Sequence, residues 1–156
     1  MARRHRADKK VRIPDPRYDS ELIARVISYV MQEGRKTTAE KVVYGALDRI
    51  REKTGEDPLE VMVKAVDNIK PRVEVKSKRV GGATYQVPVE VSRQRQLALA
   101  LRWLAAFSNA RRNVPMVDAL AAEVMEAYRN QGNAIKKRDD THKMAQANKA
   151  FAHYAW

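Results

Sequence analysis

Two short segments hold residue types that could do enzymatic chemistry. Gly34-Arg35-Lys36-Thr37 has the final residues of a phosphate-binding loop, and Asp139-Asp140 could supply two carboxylates. The loop would also need a glycine five positions before Gly34 and a preceding strand, whereas Tyr29 stands there in a helical pattern. Adjacent carboxylates on a helix point in different directions, and early in a helix they favour the positive end of its dipole. We therefore predict no catalytic residue.

Metal and thiol chemistry have no better support. The chain has no cysteine, which excludes disulfides, thiolate metal sites and a cysteine nucleophile. Its three histidines, His5, His142 and His153, show no metal-ligand spacing, so we expect them to be solvated or to face a binding partner. We predict neither a metal nor another cofactor. The lack of cysteine fits the reducing cytosol.

Cationic side chains are the chemistry in which this sequence is rich. Lysine and arginine number 31 against 19 acidic residues, which gives a formal net charge of +12 and a sequence pI near 10.1. Clustered cations bind polyanions well because each phosphate contact releases counterions, so we predict a nucleic-acid partner. The clusters are residues 1–12 with a net charge of +5, residues 70–79 with a net charge of +4, Arg93 with Arg95, Arg111 with Arg112, and Lys136-Lys137-Arg138.

A membrane is the weaker alternative partner. No apolar run approaches the ~18 residues of a spanning helix, since Arg25 and Arg102 interrupt the two longest candidates. The apolar faces of the helices are needed for a core, which leaves none for a membrane surface. We therefore expect no membrane association.

The elements that must position these cations are mostly helices. Apolar residues recur at three- and four-residue spacing in six segments, and capping or breaking residues set their limits. The first predicted helix runs from Ser20 to its stop at Gly34, and the second runs from a Thr37–Glu40 capping box to Gly55. The third begins at Asp57-Pro58 and ends at Pro71. The last three run from Ser92 to near Asn109, from Pro115 to residues 130–132, and from about Lys136 to Phe151.

A hairpin separates the third and fourth helices. From Pro71 the apolar period changes to two, with Val73 and Val75 on one side of Gly81-Gly82 and Tyr85 to Val91 on the other. Two strands alone are marginally stable, so the hairpin must lean on the helices or on a ligand. Tyr85 and Trp156 are candidates for stacking on an unpaired base, whereas Trp103 fits the core or its boundary.

The length of 156 residues fits one domain. We divide it into a basic extended arm (1–18), helices 1–3 (19–70), the hairpin (71–91), helices 4–6 (92–151) and a C-terminal tail (152–156). The sequence thus predicts a helical, hairpin-bearing protein that binds nucleic acid.

Several motifs resemble one family in order along the chain. Residues 71–91, PRVEVKSKRVGGATYQVPVEV, are similar to the hairpin of bacterial small-subunit ribosomal protein seven, and this motif is highly specific. The resemblance continues through LRWL at 101–104, EKTG at 52–55, NAIKK at 133–137 and HKMAQANKAF at 142–151, and so spans essentially the whole chain. Thr84, Gln94 and Ala155 depart from residues common in the family, which affects single phosphate contacts only.

The resemblance implies a mainly α fold: a six-helix bundle with a protruding two-stranded hairpin between helices 3 and 4 and a basic N-terminal arm. It implies a non-enzymatic protein of the small subunit of the cytoplasmic ribosome. Such a protein binds the 3′ major domain of 16S rRNA and nucleates assembly of the subunit head. Its implied neighbours are exit-site tRNA, mRNA and other proteins of the head and platform. The rRNA-binding residues it implies are Arg3, Arg4, Arg6, Lys9, Lys10, Arg72, Lys76, Lys78, Arg79, Arg93, Arg95, Arg102, Lys136 and Lys137. The residues it places at the hairpin tip, near tRNA and mRNA, are Lys78, Arg79, Gly81, Gly82 and Tyr85.

Two other classes of protein fit the residues less well. An RNA-processing enzyme would need a general base with a metal or nucleophile, which these residues do not supply. A basic architectural protein outside the ribosome could bend duplex DNA with its hairpin. The composition alone does not choose between rRNA and DNA, so that choice depends on the resemblance.

Overall fold

Six α-helices and one β-hairpin make up the structure, a computed structural model that describes residues 13–155. The mainly α fold with a hairpin between the third and fourth helices is confirmed. The elements are α1 (Glu21–Val30), α2 (Lys36–Thr54), α3 (Pro58–Ile69), β1 (Val73–Val80), β2 (Ala83–Glu90), α4 (Arg93–Asn109), α5 (Met116–Tyr128), α6 (Asn133–Ala147) and a C-terminal 3-10 helix (Lys149–Tyr154).

Capping explains most helix limits. The Ser20 hydroxyl accepts the N–H of Ile23 at the start of α1, and the Asp57 carboxylate accepts the N–H of Leu59 at 3.1 Å at the start of α3. Pro58 follows as the first residue of α3, where a missing N–H costs nothing. These two caps are as predicted.

The turn between α1 and α2 differs from the prediction. The first helix ends at Val30 rather than at Gly34, because Met31 adopts an extended conformation (ψ 132°). The proposed Thr37–Glu40 capping box is wrong: Thr37 lies inside α2, and Arg35 precedes the helix without a side-chain cap. Gly34 instead supplies a positive φ of 73° within the turn.

The end of the predicted arm also has a different structure. Residues 16–18 form a turn that is held on α2 by the buried Asp15 carboxylate. That carboxylate accepts the N–H groups of Arg17 and Tyr18, and the Tyr44 hydroxyl donates to it at 2.6 Å. The hydrogen bond to Asp15 raises the pKa of Tyr44 to about 12. Any extended arm must therefore end before Asp15.

The core lies between α5 and the helices that surround it. Leu120 and Val124 of α5 are fully buried, and α5 packs against α2, α3 and α4. The close approach of α2 and α5 depends on Gly45, since a Cβ there would lie 3.1 Å from Val117. Trp103 is half-buried at the core boundary, as predicted.

The hairpin is antiparallel and turns at Gly81-Gly82, as predicted. Opposed residues share a face, so the pairs Lys76–Val87 and Lys78–Tyr85 lie on one side of it. Val87 is fully buried, which identifies this side as the inner face. Val73, Val75 and Arg79 lie on the other side, the outer face. Three of the four charged residues of β1, Glu74, Lys76 and Lys78, therefore face the body of the protein, and Arg79 does not.

The sixth predicted helix is two elements. α6 ends at Ala147, and residues 149–154 continue as a 3-10 helix that packs against β2. Within α6 only Ala134, Ile135 and Ala145 are buried, so this helix brings little apolar surface to the core.

Leu101→Ala should test the core assignment. Leu101 is 1% exposed on the buried side of α4, so its truncation should lower the free energy of unfolding by ~2–5 kcal/mol. Denaturant titration followed by circular dichroism measures this change. Ala106→Ser on the exposed side of the same helix is the matched control and should unfold like the native protein. Native stability of Leu101→Ala would contradict the assignment.

Candidate nucleic-acid interface

Nine of the implied rRNA-binding cations lie within the described residues, and the structure divides them by their partners. Six are exposed and form no ion pair with a carboxylate within residues 13–155: Arg72, Arg79, Arg93, Arg102, Lys136 and Lys137. The other three, Lys76, Lys78 and Arg95, contact groups of the protein itself.

Glu74 pairs with two of those three. Its side chain is only 11% exposed, and it accepts a hydrogen bond from Arg95 Nε at 2.7 Å while Lys76 Nζ lies 3.4 Å away. The hydrogen bond from Arg95 is the main reason why the pKa of Glu74 lies below its ordinary value. This contact joins the hairpin base to the first turn of α4, so Arg95 and Lys76 are engaged within the protein.

The middle of the hairpin contacts the C-terminal 3-10 helix. The Tyr85 ring lies 5.0 Å from that of Tyr154 and 5.4 Å from that of Phe151, measured between centroids. Lys78 Nζ donates to the Tyr154 carbonyl at 2.9 Å. Tyr85 is therefore half-buried in an aromatic cluster rather than displayed at the tip for stacking.

The tip itself is exposed. Gly81 and Gly82 have φ values of 57° and 89°, which a two-residue hairpin turn requires, and a Cβ at either would meet nothing within 4 Å. Arg79 lies near this turn on the outer face. The hairpin thus has an inner face that attaches it to the body and an outer face and tip that are open to a partner.

At the base of the hairpin, a histidine of α6 accepts a backbone hydrogen bond. The Arg72 N–H donates to Nε2 of His142 at 3.0 Å, which requires that nitrogen to be unprotonated. Burial is the main cause that lowers the pKa of His142, and the neighbouring Arg138 and Arg72 lower it further while Asp139 opposes them. Neutral His142 therefore couples α6 to the hairpin.

Positions on the helices decide which cations can act together. Arg95 and Arg102 are seven residues apart and lie on the same exposed side of α4. Lys143 has the same spacing from Lys136 on α6 and is also exposed, although it was not among the predicted residues. The seven-residue spacing within a helix is the signal that would have identified it.

The Arg111-Arg112 cluster is also divided. Arg111 pairs with the carboxylates of Glu123 and Glu126, each at 2.6 Å, whereas Arg112 is exposed without an acidic partner among residues 13–155. The arm cations Arg3, Arg4, Arg6, Lys9 and Lys10, like Trp156, lie outside the described residues.

Other kinds of site find little support in the described part of the chain. Asp139 pairs with its neighbour Arg138 at 2.7 Å rather than with Asp140. Among residues 13–155, no three His, Asp or Glu side chains are placed to hold a metal ion. No helix in this range is both long and apolar enough to cross a membrane.

The fold and the exposed cations of residues 13–155 define a class of protein: a basic helical bundle with a hairpin, whose exposed arginine and lysine side chains are suited to a polyanion. Sequence comparison gives the family. The family described as "Ribosomal protein S7p/S5e" matches residues 2–149.

The similar proteins include three named small ribosomal subunit protein uS7. The one from Sorangium cellulosum (strain So ce56) is 56% identical, that from Geobacter sp. (strain M21) 54% and that from Anaeromyxobacter sp. (strain Fw109-5) 53%, each over all of both chains. This chain therefore belongs to the ribosomal protein S7p/S5e family. It is a structural, non-enzymatic constituent of the small ribosomal subunit.

Acidification should test the contact between His142 and the hairpin. Because the pKa of His142 is lowered in the folded state, the unfolded chain binds the proton more readily. Stability is therefore unaffected by this group above its ordinary pKa near 6.5 and falls as pH drops below that value. The melting temperature should fall less in His142→Gln than in the native protein between about pH 7 and about pH 5.5. Equal losses would contradict a titrating contact.

Proposed function

We propose that this ribosomal protein binds the 3′ major domain of 16S rRNA and nucleates assembly of the small-subunit head. The proposal depends on six exposed cations that form no ion pair with any carboxylate of residues 13–155. Such side chains keep their full charge available for phosphates, and several together give strong, salt-dependent binding. Membership of the family supports rRNA over DNA as the partner.

The distribution of these cations supports one extended RNA contact. Arg102 lies on α4, Lys136 and Lys137 lie near the start of α6, and Arg72 lies at the hairpin base. The bundle core fixes these elements relative to one another, so the cations are held at set separations before RNA binds. Preorganised contacts of this kind set the register of a protein on a nucleic acid. The basic segment at residues 1–12 adds a further group of cations.

A second part of the proposal concerns the hairpin tip. Its exposed outer face, with Arg79 beside Gly81-Gly82, projects a cation beyond the contacts that attach the inner face to the body. We infer that this tip borders exit-site tRNA and mRNA. Proteins of the head and platform are the proposed protein neighbours, in the cytoplasmic ribosome.

A pair of arginines on one side of α4 gives the sharpest test of rRNA binding. Arg102 has no acidic partner among residues 13–155, whereas Arg95 pairs with Glu74. In a salt series with the 16S 3′ major domain fragment, Arg102→Gln should flatten the slope of log affinity against log salt by about 0.7–0.9 and leave melting unchanged. Arg95→Gln should lower the melting temperature and leave the slope nearly native.

The same titration decides against the alternatives. Equal slopes for Arg102→Gln and the native protein would remove Arg102 from the interface. A native protein that prefers duplex DNA over the rRNA fragment would contradict rRNA binding and support an architectural role. RNA cleavage by the purified protein would contradict the non-enzymatic assignment.

A shortened hairpin should test the role of the tip. Since Lys78 and Tyr85 are cross-strand partners, an Asn-Gly turn can replace residues 79–84 and join them directly. The contacts of Tyr85 and Lys78 with the 3-10 helix would remain, so the melt should stay cooperative. Small subunits assembled with this variant should retain exit-site tRNA differently or lose reading-frame fidelity. Gly81→Asn, which keeps the hairpin length, is the control, and native behaviour of the shortened variant would contradict the proposal.

A further inference from the structure

A fully buried carboxylate joins three segments near the proposed RNA contacts. Glu123 of α5 is 0% exposed. Its Oε2 accepts from Arg111 Nη2 at 2.6 Å and from Arg111 Nε at 3.3 Å, while its Oε1 accepts the N–H of Ala134 at 2.9 Å. Glu123 thus contacts the loop after α4 and the first turn of α6 at once.

The contact with Ala134 replaces a missing helix cap. Gly132 precedes α6 and has no side chain to accept an N–H of the first turn. Glu123 supplies the acceptor from a different helix. Gly132 is needed for this approach because its φ is 93° and a Cβ there would lie 2.9 Å from Glu126 Oε2 and 3.3 Å from Glu123 Oε1.

Arg111 is the cation of this cluster and pairs with both carboxylates, Glu123 and Glu126. Hydrogen bonds to Glu126 and then Glu123 raise the pKa of Arg111, so it stays a cation. Burial of an ion pair costs desolvation, and a well-packed apolar pair would often be as stable. A gain in stability alone therefore explains this arrangement poorly, whereas the geometry it fixes is specific.

We propose that Glu123 is a positioning residue that holds the loop cation Arg112 and the α6 cations Lys136 and Lys137 in one arrangement for RNA. Arg112 is the neighbour of Arg111, and Lys136 lies two residues after Ala134. The Glu123 carboxylate therefore positions both the α4–α5 loop and the start of α6. All three cations are exposed and unpaired by acids of residues 13–155. The inference rests on the proposed rRNA binding.

The test uses two variants that act on Glu123 differently. The double variant Glu123→Gln with Arg111→Gln removes both charges of this ion pair together, so no unpaired charge remains at the buried position of Glu123. Gly132→Ala keeps every charge but forces the turn before α6 away from Glu123 and Glu126. Each variant has a control. Glu126→Gln removes a partner of Arg111 but not the bond to Ala134, and Gly55→Ala has the same φ strain with open space around it.

Affinity for the 3′ major domain fragment is measured in a salt series below the melting temperature of every variant. Both test variants should bind at least roughly tenfold more weakly, with a salt slope reduced by about 1–2, as if one or two phosphate contacts were lost. Adding Arg112→Gln to either test variant should then lower the affinity by less than it does in the native protein, because the contact of Arg112 with RNA is already misplaced. Hydrogen exchange at the Ala134 amide should accelerate in both. The controls should keep the native slope.

The outcomes separate this inference from the function on which it rests. Suppose that the native protein binds the fragment, that both test variants keep the native salt slope, and that Arg112→Gln lowers their affinity as much as it lowers that of the native protein. Glu123 is then merely structural, and the inference is overturned. If the double variant does not fold, Gly132→Ala alone decides by the same criteria. If the native protein fails to bind the fragment, the proposed function fails, and this inference fails with it.

Discussion

A chain with a net charge of +12 can fold only if its cations stay apart or meet a carboxylate, and this constraint shapes the rest of the structure. The acidic side chains with the least exposure lie at junctions between elements. Glu74 joins the hairpin to α4, Glu123 joins the α4–α5 loop to α6, and Asp15 holds the segment before α1 on α2. The cations without such partners are those available for the proposed RNA contact, so the positions of a few carboxylates divide the cations into the two groups.

The helix that carries the exposed lysines shows this dependence most clearly. α6 buries few apolar side chains, and polar contacts along its length supplement them: Ala134 with Glu123, Arg138 with the Asn68 carbonyl at 2.5 Å, and His142 with Arg72. Each of these contacts joins α6 to a different element. Because hydrogen bonds depend on direction, they fix the rotation of a helix more narrowly than apolar contacts do.

Local sequence signals predicted the elements well because the determinants are local. The change of apolar period at Pro71, the Asp57-Pro58 cap and the Gly81-Gly82 turn each act within a few residues. The Thr37–Glu40 box failed because Met31 ends α1 early and the backbone enters α2 through Arg35. The pairings of Arg95 and Arg111 with acids 12 or more residues away depend on tertiary structure, so charge clustering could not separate them from Arg102 and Arg112.

The hairpin shows why a run of cations in sequence is not one surface. Neighbouring residues of a strand point to opposite faces, so Lys78 and Arg79 are adjacent in sequence but belong to different environments. Lys78 on the inner face contacts the C-terminal 3-10 helix, and Arg79 on the outer face faces away from the body. A two-stranded sheet cannot stabilise itself, so one of its faces must be used for attachment. Three of the four charged residues of β1, Glu74, Lys76 and Lys78, thus lie on the face that attaches the hairpin, and Arg79 lies on the face that is open to the proposed partner.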